Sequence, residues 1–188
     1  MWTGLSEWLQ KISNGWVVFA VLVVFMLFTA FVLPTQAVQA DQNNAGVDTP
    51  DLSFYYSPEK LYQMAESYGE AGRQEYIKAR FTFDLVWPIV YTLSLVTSIS
   101  WLTRRGFAPD SRWQRANLVP VLAVVFDYIE NISTSLVMFR YPARTPVIDF
   151  VAPFFTSIKW ILVGGSFGLW LIGIGAGIFA WIKKGSAD

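Results

Sequence analysis

Asp127-x-x-Glu130-Asn131 is the stretch whose residue types and spacing could do chemistry. It lies inside an apolar run from Ala116 to Phe139. An ionised carboxylate at mid-bilayer costs roughly 2.5–3.5 kcal/mol on the insertion scale, so acids placed there face a partner or a cavity. On a helix, Glu130 falls about 60° to one side of Asp127, Asn131 about 40° to the other, and Thr134 about 20° away two turns on. The four build one polar face. Paired carboxyls on such a face can act as acid and base on a substrate, hold a cationic group, or clasp neighbouring helices through hydrogen bonds.

Two other apolar runs carry matching polar stripes. Between Phe81 and Leu102, Asp84, Tyr91, Ser94 and Ser98 fall within an arc of about 80°, and Pro88 frees a backbone carbonyl one turn earlier. In the last run Thr156, Lys159 and Ser166 share a face. Counted from the outer helix ends at ~1.5 Å per residue, Asp84 lies ~5 Å deep, Lys159 ~9 Å, Glu130 ~13 Å and Asp127 ~18 Å. Lys159 and Glu130 are therefore nearly level, and an ammonium and a carboxylate cost less buried together than apart. Three acids against one lysine leave an excess of negative charge. Either a carboxyl stays protonated, or Arg80, Arg140 or Arg144 folds in. The candidate binding residues are Asp84, Tyr91, Asp127, Glu130, Asn131 and Lys159.

The chain contains neither Cys nor His. Disulfides, thiolate metal sites, a Ser-His-Asp triad and histidine proton shuttling all drop out for this subunit alone. Oxygen ligands from Asp84, Asp127, Glu130 and Asn131 would suit a hard divalent cation, but Lys159 beside them opposes one. No metal site is assigned, and no cofactor is identified. Basic and acidic residues balance at 14 each, which excludes a basic nucleic-acid binder.

The elements that must position these residues are membrane helices. Uncharged or nearly uncharged runs at about residues 16–33, 81–102, 116–139 and 153–182 match the ~20 residues that span a bilayer. The expected fold is all-α: a polytopic membrane four-helix bundle, one membrane domain over 1–188. Arg104, Arg105, Arg112 and Arg115 in one connection, and Lys183 and Lys184 after the last helix, mark cytoplasmic faces. Both termini are then inside a cell (inner) membrane, with the acidic segment 34–80 outside. An alternative is a signal peptide cleaved after Val38-Gln39-Ala40.

Within that outer segment, Gln36 to Pro50 has no apolar period and predicts a loop. Ser57-Pro58-Glu59 supplies an N-cap, a proline at the first helical position and an acid in the first turn. Leu61, Met64, Ala65 and Tyr68 then recur at helical spacing and Gly69 ends the run. This predicts a short amphipathic outer helix, lying on the membrane surface or capping the bundle. Gly164-x3-Gly168 and Gly173-x3-Gly177 permit close helix approach, within the bundle or in a homodimer or larger membrane complex.

With these residues in view, the chain resembles a widespread group of small four-helix membrane proteins to which no activity is attached. The resemblance rests on Tyr56-Ser57-Pro58-Glu59, Tyr68-Gly69-Glu70-Ala71-Gly72-Arg73, Asp84 with Pro88 and Tyr91, Asp127-x-x-Glu130-Asn131, Tyr141-Pro142 and Thr156-x-x-Lys159-Trp160. A looser likeness is to the EXPERA fold of sterol isomerases and the sigma-2 receptor, through Phe83-Asp84-Leu85-Val86-Trp87-Pro88. That likeness implies acids in a lipid-facing pocket, and the absence of His departs from the isomerases. The functions in contention are a binding or accessory protein with an outer-half polar pocket for a lipid headgroup or small amphiphile, an intramembrane lipid-modifying enzyme using paired carboxylates, and an ion- or proton-coupled transporter. Transport needs a polar path onward from Asp127, where only Ser94, Ser98 and Ser100 are offered.

Overall fold

The computed structural model describes residues 2–43 and 48–185, and among them the regular structure is all helical. Seven α-helices follow in chain order: α1 (Trp2–Ile12), α2 (Gly15–Leu27), α3 (Leu33–Asn43), α4 (Pro58–Arg80), α5 (Phe83–Gly106), α6 (Val119–Arg140) and α7 (Ile148–Gly185). A π-helical turn (Phe28–Val32) joins α2 to α3, and 3-10 turns cover Pro50–Leu52 and Arg112–Leu118. Four stretches are long and apolar enough to cross a membrane: Gly15–Ala40, Pro58–Gly106, Arg112–Arg140 and Ile148–Gly185. The chain is a multi-pass membrane protein.

Local sequence explains the boundaries. Asn14 caps α2, its Oδ1 accepting from the backbone N–H groups of Trp16 and Val17 at 3.0 Å each. Pro34 has no N–H for the carbonyl of Ala30, and its ring would crowd a regular turn there; the π turn at Phe28–Val32 widens the helix at that place. Helix therefore continues through Pro34 to Asn43, where composition predicts a loop from Gln36 onward. The remainder of that expected loop at 44–47, which includes Gly46, lies outside the described residues. At 38 residues, α7 is ~57 Å long, more than the ~30 Å hydrocarbon core, so it tilts or projects beyond it.

The chain folds into two compact units, Met1–Met26 with Val90–Ala123 and Leu162–Asp188, and Leu27–Ile89 with Val124–Ile161. The second contains a core of Leu61, Met64, Ala65 and Tyr68 from α4, packed with Tyr56, Tyr76, Val137 and Met138. The apolar stripe expected on a surface or capping helix is thus buried, Leu61 and Ala65 fully. Burying Leu61 and Met64 contributes ~1.5–3 kcal/mol each. Ser57 caps α4 by accepting from the N–H of Lys60 at 3.2 Å. The helix does break at Gly69, whose φ of 64° and ψ of −177° suit only glycine, and a second helical run then continues to Arg80.

In the first unit, α1 packs on the Arg112–Leu118 turn through a buried polar network. Ser6 Oγ donates to Asn117 Oδ1 at 2.7 Å, and Asn117 Nδ2 donates to the carbonyl of Ser6 at 3.1 Å and to Ser100 Oγ at 2.9 Å. Here α5 and α7 approach closely. A Cβ on Gly106 would lie 2.7 Å from that of Ala176, and one on Gly173 would lie 3.0 Å from that of Leu102. Gly177 also faces Leu102, whereas Gly164 and Gly168 have open space where a Cβ would sit. Of the four glycines singled out from sequence, two serve packing inside this unit.

Candidate functional site

Five of the six candidate residues, all except Tyr91, fall in the unit Leu27–Ile89 with Val124–Ile161. Tyr91 is buried in the other unit.

On α6, the polar face forms as its spacing requires. Asn131 Nδ2 donates to Asp127 Oδ1 at 3.1 Å, one turn back. Glu130 is fully buried, and its Oε2 is ion-paired with Lys159 Nζ. Its other oxygen accepts from Thr156 Oγ1 at 2.9 Å, and Thr156 lies 3.2 Å from the hydroxyl of Tyr56. Either hydroxyl can donate in the Tyr56–Thr156 contact. A relay of Tyr56, Thr156, Glu130 and Lys159 thus joins α6, α7 and the segment before α4. The Tyr56 phenol is pushed above its ordinary range, first by burial and then by the nearby carboxylates of Glu130 and Asp51, against the opposing Thr156 hydrogen bond.

Asp84 belongs to a different cluster. Arg80 Nε lies 2.9 Å from Asp84 Oδ2, and Arg80 Nη1 lies 3.1 Å from Asp51 Oδ2. The guanidinium also stacks on Tyr76, 4.6 Å from the ring centroid, and the Tyr76 hydroxyl donates to Thr134 Oγ1 at 3.1 Å. Of the three arginines that sequence offers as counter-charges, Arg80 is the one buried among carboxylates, while Arg140 and Arg144 are exposed. Burial by itself would raise the Asp51 carboxyl, but Arg80 and then Lys159 outweigh it and hold it below the ordinary carboxylate range.

Asp51 links the two clusters. Its backbone carbonyl accepts from Trp160 Nε1 at 3.0 Å and from Lys159 Nζ at 3.4 Å, while its side chain meets Arg80. The segment before α4 is thereby tied to α7 and to the end of α4. In the sequence Asp51 is one acid among several in an outer segment, with nothing to single it out. The i, i+4 spacing of Arg80 and Asp84 is readable, but the expected helix begins at Phe81 and leaves Arg80 outside it.

Beside the Arg80 cluster opens a cavity of about 720 Å³, whose lining includes apolar Leu33, Ala37, Val38 and Phe83 together with Asp51, Glu75, Arg80 and Asp84. Asp127, Glu130, Asn131 and Lys159 do not line it. Sequence periodicity therefore locates a closed ionic clasp, and the cavity adjoins Asp84 alone among the six. No protein-family model matches the chain, and comparison with curated proteins and with solved structures finds no match.

Proposed function

We propose that the protein is a non-enzymatic membrane binding or accessory protein, a four-helix bundle with both termini inside, holding a lipid headgroup or small amphiphile in the cavity beside Arg80. The observation that carries this reading is the mixed apolar and ionic lining of that cavity. Leu33, Ala37, Val38 and Phe83 bring apolar surface to the same lining as the ion-paired Asp51, Arg80 and Asp84. An amphiphile needs both surfaces, and a volume near 720 Å³ falls within the ~300–1,000 Å³ usual for small-ligand sites. Pairing Arg80 with two carboxylates fixes the polar end before any ligand arrives, which lowers the ordering cost of binding.

The Glu130–Lys159 pair then serves as the support of the site. Both carboxyl oxygens of Glu130 are engaged, one by Lys159 and one by Thr156, an arrangement suited to holding α6 against α7. Gly164 and Gly168, open on their face, are the pair left for approach by a second copy.

The reading is tested by native mass spectrometry of the gently solubilised protein. An adduct of amphiphile mass should accompany the chain and be lost in Ala79→Phe, which fills the cavity, while the variant still elutes as folded protein. No adduct on the wild-type protein, or an adduct untouched by Ala79→Phe, would refute it.

A further inference from the structure

We infer that the Arg112–Leu118 turn is a docking site for an anionic glycerophospholipid, with Arg112 and Arg115 taking its phosphodiester. The site lies in the unit Met1–Met26, Val90–Ala123 and Leu162–Asp188, and shares no residue with the cavity beside Arg80. In a 3-10 turn residues three apart eclipse one another at ~2.0 Å rise per residue, so Arg112 and Arg115 project from one edge ~6 Å apart. Both are exposed, and among the described residues neither is ion-paired. Two guanidinium forks at that separation match the paired oxygens of a phosphodiester better than two ammonium groups would.

The turn is held far more firmly than a connection between helices requires. Ser111 caps it, accepting from the N–H of Trp113 at 3.3 Å. Gln114 Nε2 donates to the carbonyls of Thr103 and Phe107 at 3.2 and 3.3 Å, and Asn117 is bound to Ser6 and Ser100. Arg104 donates to the carbonyl of Gln10, which brings a third guanidinium to the same assembly. Such fixation presents the cations in place and reduces what binding must order.

The neighbouring aromatic residues favour a lipid over a free anion. Trp113, between the two arginines in sequence, stacks on Phe107 with centroids 5.3 Å apart and stays partly exposed. Trp8 on the packed α1 is 56% exposed. Indoles placed beside cations at a helix end belong to the headgroup layer. Charge complements the assignment: Lys11, Arg104, Arg105, Arg112 and Arg115 are exposed here against Glu7 and Asp110.

The test uses the full-length protein in detergent, titrated with palmitoyl-oleoyl phosphatidylglycerol or the matching phosphatidylcholine and read by native mass spectrometry. Phosphatidylglycerol should be retained in preference, and Arg112→Gln with Arg115→Gln should weaken that retention roughly tenfold or more. Lysine at both positions keeps the charge without the fork and should fall between. Lys183→Gln with Lys184→Gln removes the same charge elsewhere and should have a smaller effect. Equal losses in the two glutamine pairs would make the attraction one of overall charge and overturn the site. Equal retention of both lipids overturns it too, and displacement of phosphatidylglycerol by millimolar glycerol 3-phosphate would assign the turn to a soluble anion instead.

Discussion

Arg80 lies between Asp51 and Asp84, 3.1 Å from a carboxylate oxygen of the first and 2.9 Å from one of the second. One cation thus satisfies an acid from the segment before α4 and another from the first turn of α5. Replacing Arg80 with Gln removes the cation that both carboxylates meet, leaving the buried Asp84 without its ion pair and Asp51 with the charge of Lys159 alone. The loss should be about 3–5 kcal/mol, the scale of breaking a buried pair. Thermal unfolding in detergent should record it, and adding Asp84→Asn should recover part. Purely additive losses would mean that Arg80 and Asp84 are not coupled.

The Glu130–Lys159 pair makes a parallel case on α6 and α7. Lys159→Met should destabilise the protein strongly, and Lys159→Met with Glu130→Gln should be more stable than the lysine variant alone. Because both oxygens of Glu130 already have partners, Glu130→Gln by itself should leave amphiphile retention standing while lowering the melting temperature. Loss of the adduct in a folded Glu130→Gln protein would assign that carboxyl to the ligand.

Asp51 should make stability depend on acid. Its folded carboxyl is held below the ordinary value, so its contribution is complete above the unfolded-state pKa of ~3.9 and is lost as pH falls through the lower folded value. Melting temperature measured from pH 6 downward should drop in that window, and Asp51→Asn should remove part of the drop. A wild-type profile flat to the lowest pH that keeps the detergent micelle intact would contradict this.

Gly69→Ala should cost about 1–3 kcal/mol, because a φ of 64° with ψ near 180° is closed to residues bearing a Cβ. No side chain stands within 4 Å of the site, so the loss is one of backbone conformation and not of space. Gly106→Ala should also destabilise, for the opposite reason: its Cβ would meet Ala176 at 2.7 Å.

The helices and the α6 stripe are legible in the sequence because periodicity reports which face of one element is polar. Asp127 with Asn131, and Glu130 level with Lys159, follow from spacing and depth alone. Residues brought together from irregular segments carry no such signature. Asp51 sits on a three-residue turn, so nothing in its spacing points to Arg80 or to Trp160. The continuation of helix through Pro34 is hidden for a related reason, since a proline ordinarily ends a helix and the π turn before it is a response of the backbone. The N-terminal helix α1 lacks the length to span a membrane, and its partner Asn117 lies 111 residues away from Ser6.

Residue 51 is attached in two different ways. Its side chain carries charge to Arg80, whereas Trp160 and Lys159 grip the peptide carbonyl, a group that every amino acid brings to that position. Mutation can reach the first attachment but has no direct hold on the second. The segment before α4 can therefore exchange its electrostatic role without coming loose, and Asp51→Asn separates tuning from tethering in a single substitution. An attempt to detach that segment would have to take away the donor side chains on α7, Trp160 and Lys159 together, with Tyr56 on Thr156 still holding.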